Sequence, residues 1–236
     1  MKDNVYSNRT DNNKTAIFIF VALYGIINAI IKYNDLFVFL LLLFWTAIIV
    51  FMYKNKILGK YGISLGKYNK PSIIISLLFF ALIILRHTVE RLLYKSEYNL
   101  SALKIILIVS AAFGEELFFR GIVFNYLRTK FFNLRLPLII SSVLFAAFHI
   151  VNVFDNGILY TLVQILFAYS AGMCFALIYY LTKSLSLPVL LHIITNLFSG
   201  QNTVENSVIT VFISAVLIII PVIYLLYLEK KNETVH

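Results

Sequence analysis

Gly114-Glu115-Glu116-Leu117-Phe118-Phe119-Arg120-Gly121 sets two carboxylates and a guanidinium inside an otherwise apolar stretch running from about Ala102 to Leu127. A charged side chain at the centre of a bilayer costs on the order of 2.5–3.5 kcal/mol on insertion scales, so these groups should face a protein interior or a wet cavity. Two other apolar stretches each hold one histidine, His149 and His192, and the second carries Asn196 a helical turn further on. The pattern predicts helices that converge on one polar site within the membrane, with the rest of the chain building and sealing it.

Composition supports a membrane setting. The chain has 236 residues, is 61% hydrophobic and has a mean hydropathy of +0.88, whereas soluble domains are about 45–50% apolar. A single membrane domain over residues 1–236 is expected, with residues of about 100–200 as its motif-bearing core. The formal charge of +9 sits mainly in short loops beside apolar runs, where it sets topology. Nucleic acid is therefore not an expected partner; the lipid bilayer and a peptide substrate are. Cys174 is the one cysteine, so no intrachain disulfide forms and a packing role follows. Residues 1–14 are polar and no small-residue cleavage pattern follows the first apolar run, which implies a retained span rather than a cleaved signal. Heavy use of Lys, Asn, Ile, Tyr and Phe suggests a bacterium of low GC content.

The expected fold is all-α, a polytopic membrane bundle of about eight transmembrane helices. Spans fall near residues 15–31, 36–53, 72–85, 102–127, 137–149, 158–181, 187–198 and 208–228. The third starts at Pro71 and continues as an amphipathic extension to about Tyr94, with Val89, Leu92 and Leu93 on one face among Arg86, Glu90 and Arg91. Residues 152–157 form a polar loop. Ala168, Gly172 and Ala176 make a small-residue ridge that lets another helix approach closely. Lys and Arg concentrate on one set of alternating loops, and by the positive-inside rule both termini lie in the cytoplasm and residues 1–14 form a cytoplasmic tail.

On a helix, Glu116 and Arg120 are four apart and share a face, so they can pair. Glu115 points about 100° away and is left for another partner. Phe145 shares a face with His149, which sets the imidazole over an aromatic floor, and His192 is co-facial with Asn196. Any one of these could be a packing hydrogen bond. As a set on three spans they describe amide hydrolysis: a buried carboxylate as general base toward water, a histidine to orient that water, and a histidine with an amide to donate to an oxyanion. Glu115, His149 and His192 would also suit a zinc ion with an open water position. The His-Glu-x-x-His signature is absent, however, so metal dependence does not follow from spacing.

Glu115-Glu116-x-x-x-Arg120, Phe145-x-x-x-His149 and His192-x-x-x-Asn196 resemble the three ordered motifs of the CPBP family, the CAAX proteases and bacteriocin-processing or -immunity proteins also called the ABI family. The resemblance covers residues of about 100–200. It implies an intramembrane glutamate or metallo-endopeptidase in which Glu115 activates water with His149, His192 and Asn196 form the oxyanion pocket, and Glu116 and Arg120 support the site. It also implies processing of a leader-bearing or pheromone peptide, or bacteriocin self-immunity. The alternative is a non-catalytic membrane scaffold of the same family that binds a partner enzyme.

Depth sets a geometric condition. At 1.5 Å per residue Glu116 lies about 18 Å from Arg128 and His149 about 18 Å from Pro137, but His192 lies only about 8 Å beyond Leu187. For the three to meet, the seventh span must start below the membrane surface or the segment from Lys183 to Leu187 must dip inward. A His192 more than about 10 Å from Glu115 would break the model, since chemistry needs hydrogen-bond reach.

Overall fold

The computed structural model describes residues 36–64, 66–94, 101–198 and 207–233. The first expected span, near residues 15–31, and the tail of residues 1–14 lie outside them. Among the described residues every regular element is helical: α1 (Leu36–Lys54), α2 (Lys70–Tyr94), α3 (Ala102–Glu116), α4 (Asn125–Lys130), α5 (Arg135–Ala147), α6 (Val153–Asn156), α7 (Ile158–Thr182), α8 (Ser186–Leu197) and α9 (Ser207–Glu233).

Helix starts follow local chemistry. Before α2, the Asn69 side chain accepts from the Ser72 N–H (2.9 Å) while the Ser72 hydroxyl accepts from the Asn69 N–H (3.1 Å). This reciprocal cap satisfies two orphan donors, and Pro71 sits in the first turn, where its missing N–H costs nothing. Ser101 caps α3 by accepting from the Lys104 N–H.

The chain is a helical membrane protein, and the expected count of about eight spans is not supported by the described residues. Among these, four helical stretches are long and apolar enough to cross a membrane: 70–93, 135–156, 158–182 and 208–231. Residues 44–54 and 186–197 form shorter apolar helices, and the acid-bearing helix interrupts its apolar length with Glu115, Glu116 and Arg120.

Two boundaries differ from expectation. The acid-bearing helix runs on from α3 through a π-helical segment, Leu117–Phe124, into α4. Gly121 lies in that segment, where a Cβ would stand 2.9 Å from the Tyr61 carbonyl oxygen; the close backbone approach explains the glycine. Residues 152–157 are not a polar loop: a 3-10 turn (Phe148–Asn152) and α6 continue the path of α5, and the reversal is made by Gly157 at φ +78°. Helix α2 extends to Tyr94 as expected, and its polar face turns inward. Leu92 and Leu93 are 76% and 64% exposed, whereas Arg86 and Glu90 are 4% and 1%. In a bilayer the apolar face can turn outward to lipid, and a charged pair must turn inward.

Helix α7 is the centre of the bundle. Its most apolar stretch is 67% buried, against 33%, 33% and 28% for the other three candidate spans. Ala168, Gly172 and Ala176 are all buried along it, and a Cβ on Gly172 would lie 3.2 Å from both Phe145 and Ser142 of α5. The ridge is thus a packing surface. Cys174 is fully buried, its thiol directed at the Leu217 carbonyl of α9 (3.3 Å).

The segment between α1 and α2 folds back over the ends of α7 and α8. The Leu185 N–H donates to the Gly62 carbonyl (2.9 Å), the Lys67 N–H donates to Thr182 (3.2 Å) and the Ser184 hydroxyl donates to Ser64 (2.6 Å). Gly62 has φ +80°, and a Cβ there would stand 2.5 Å from the Tyr179 ring. Gly62→Ala should therefore lower stability by about 1–2 kcal/mol from the left-handed backbone alone, with the ring clash in addition. Thermal unfolding in detergent checks this; an unchanged transition would show that the segment does not hold the ends of α7 and α8.

Candidate active site

The acidic motif works as its helical spacing implies. Glu116 is fully buried and Arg120 is 1% exposed, and Arg120 Nη1 donates to Glu116 Oε1 at 2.8 Å. Arg120 Nη2 donates to the Gly172 carbonyl (3.3 Å), and the guanidinium stands 4.3 Å from the Phe145 ring centroid and 5.4 Å from that of Phe175. A desolvated cation over an aromatic face gains about 2 kcal/mol. These contacts offset the desolvation of a charge that would otherwise be prohibitive at this depth.

Helix α8 brings His192 onto both glutamates. Its Nδ1 lies 2.9 Å from Glu116 Oε1 and its Nε2 lies 3.8 Å from Glu115 Oε2, well inside the 10 Å condition. A carboxylate facing Nδ1 requires Nδ1 to carry the proton, so the tautomer is set by Glu116. The ring is stacked 5.6 Å from Phe175 and meets Phe145 edge-on at 5.7 Å. The reason a 12-residue helix reaches this depth is the turn before it. Lys183 adopts φ +56°, and Ser184 and Leu185 are buried at 0% and 3%, pinned by Gly62 and Ser64.

Glu115 differs from its neighbour. Its side chain is 14% exposed, against 0% for Glu116; Oε2 of each has no hydrogen-bond partner. The 3.8 Å gap to His192 is too long for a direct hydrogen bond and suits a bridging water.

The His149 ring meets Phe145 edge-on at 5.1 Å. Its Nδ1 faces the Phe145 carbonyl oxygen at 3.0 Å; that oxygen can only accept, so Nδ1–H donates and Nε2 keeps a lone pair in the neutral ring. Phe145 thus contacts His149, His192 and Arg120 together. Asn196 lies one turn beyond His192 on α8, half-buried.

Three features were not legible beforehand: the bond from His192 to Glu116, the Phe145–Phe175 enclosure of the imidazole, and the Gly172 carbonyl as an Arg120 partner. Only the small-residue ridge hinted at the last. Among the described residues no three His, Cys, Asp or Glu side chains are grouped so as to hold a metal ion.

These features define a helical membrane protein with a buried acid–imidazole site. Residues 97–198 match the family model of the Type II CAAX prenyl endopeptidase Rce1-like proteins. That stretch contains all three motifs and bears out the resemblance to the CPBP and CAAX proteases; it supports a membrane protease in general. No curated protein matches the chain.

Removing the Arg120 charge should be severe. Arg120→Met strands a buried Glu116, and breaking a buried pair costs about 3–5 kcal/mol. The folded fraction recovered from membranes should fall sharply, and Arg120→Met/Glu116→Leu should regain part of it. Normal yield of the single variant would contradict the buried pairing.

Proposed function

We propose that the protein is an intramembrane endopeptidase that hydrolyses a peptide bond in a membrane-associated or leader-bearing peptide. The observation that carries this reading is the division of labour between adjacent carboxylates. Glu116 is fully buried and bonded through Oε1 to Arg120 and His192, while Glu115 is 14% exposed and faces the other imidazole nitrogen; each keeps an Oε2 with no hydrogen-bond partner. A purely structural acidic pair would be expected to have both members satisfied.

In this reading Glu115 takes a proton from water as the water oxygen bonds to the peptide carbonyl carbon. His149 Nε2 accepts from the same water and orients it. Negative charge on the carbonyl oxygen is met from α8 by the Asn196 amide and by His192, whose Nε2 donates when both ring nitrogens carry protons. Glu115 then passes its proton to the leaving nitrogen as the carbon–nitrogen bond breaks. Bacteriocin self-immunity or maturation of a peptide pheromone is the biological role, with both termini in the cytoplasm of a bacterial cell membrane.

The test compares membrane peptidomes of cells carrying wild type, Glu115→Gln and His149→Ala. A shared uncleaved precursor should accumulate in both variants, with a loss of about 10²–10⁴-fold for a missing general base. Asn196→Ala should lower kcat by about 10²–10³-fold, the effect of losing one oxyanion donor. A Glu115→Gln strain with a wild-type peptidome and phenotype would instead support the scaffold reading.

A further inference from the structure

A second buried ion pair lies outside the site and outside the segment that the family model matches. Arg86 and Glu90 of α2 are four residues apart, with Arg86 Nε 3.4 Å from Glu90 Oε1 and side chains 5% and 1% exposed. A pair this deep in an apolar helix is expensive, and its contacts show where it acts. Arg86 Nη2 donates to the Phe198 carbonyl at 3.4 Å. Phe198 is the residue that ends α8, with φ −95° and ψ 8°. The guanidinium also lies 4.8 Å from the ring of Phe167 on α7, and Glu90 hydrogen-bonds the Thr210 side chain of α9. The neighbouring His87 ring packs 4.6 Å from that of Phe198.

Helix α8 is therefore gripped at both ends. Its N-terminal end is held by Gly62 and Ser64. At its C-terminal end, a cation meets a terminal carbonyl, the arrangement that the helix dipole favours. His192 and Asn196 lie between the two grips. We infer that Arg86 and Glu90 are positioning residues for the site: they fix the C-terminal end of α8 against α2, α7 and α9, and so fix the register at which His192 meets Glu116. The peptidase reading supplies the consequence for turnover; the geometric claim stands or falls without it.

The test uses the full-length protein in bilayers with Cys174→Ala, and compares the parent with Arg86→Met/Glu90→Met and Arg86→Lys. The double variant leaves no stranded charge, and replacing a buried pair by apolar side chains is often neutral or stabilising, so its thermal transition should match or exceed the parent. Two readouts report on α8. Thr195→Cys, at a position buried at 6%, should react with N-ethylmaleimide at least about tenfold faster in the double variant, tenfold being the equilibrium change that 1.4 kcal/mol produces. The ring ¹⁵N resonance of His192 should move toward its value in Glu116→Gln. Arg86→Lys keeps a charge beside Glu90 but lacks the nitrogen that reaches Phe198, and should show both effects at reduced size. Labelling within twofold of the parent, or an unmoved His192 resonance, overturns the inference. So does a double variant that fails to fold while Arg86→Lys matches the parent, since the pair would then serve folding alone. Loss of the peptidase reading would appear separately, as a parent protein without cleavage activity.

Discussion

The hydrogen bond between His192 Nδ1 and Glu116 Oε1 joins the two halves of this molecule. It links the acid-bearing helix to α8, the two elements whose residues would have to act together. In an environment that cannot hydrate charges, Glu116 is tenable because Arg120 and His192 share one of its oxygens. His192, in turn, is oriented because that oxygen fixes its tautomer and two phenylalanines hold its ring. The consequence falls on Glu115: the adjacent position on the helix rotates its carboxylate away from the neutralising arginine and toward Nε2.

Much of the remaining architecture serves to bring a short helix to that point. The segment of residues 59–69 ties down the turn before α8 through backbone bonds, with Gly62 and Gly66 admitting the close approach. The π-helical segment lets Tyr61 pack over Gly121. Such irregular turns occur often at functional sites, where a side chain must be re-aimed; here the side chain is Arg120, directed toward Gly172 and Phe145. Helix α7 supplies the close-packed floor on which the Gly172 carbonyl accepts from Arg120.

The membrane setting, the helical class and the pairing of Glu116 with Arg120 could be read from the sequence because each depends on local spacing and apolar runs. The span count could not, since hydropathy alone does not show which apolar stretches cross the membrane. Which face of α2 turns inward was illegible for a related reason. Val89, Leu92 and Leu93 fit a core-facing stripe as well as a lipid-facing one, and only tertiary packing places Arg86 and Glu90 inside. The His192–Glu116 bond joins residues 76 apart, and no spacing rule reaches that far. The 3-10 continuation past His149 was masked by polar residues at 152–157 that resemble a loop, although Gly157 alone makes the turn.

The central claim is that Glu115 and His149 share the attacking water while His192 stays bonded to Glu116. A density map of the protein in lipid nanodiscs, at a resolution that shows ordered solvent, tests it most directly. The account predicts a water within hydrogen-bond distance of both Glu115 and His149 Nε2, with His192 Nδ1 still on Glu116. A dry contact between the two groups, or a His192 ring turned away from both glutamates, would contradict it.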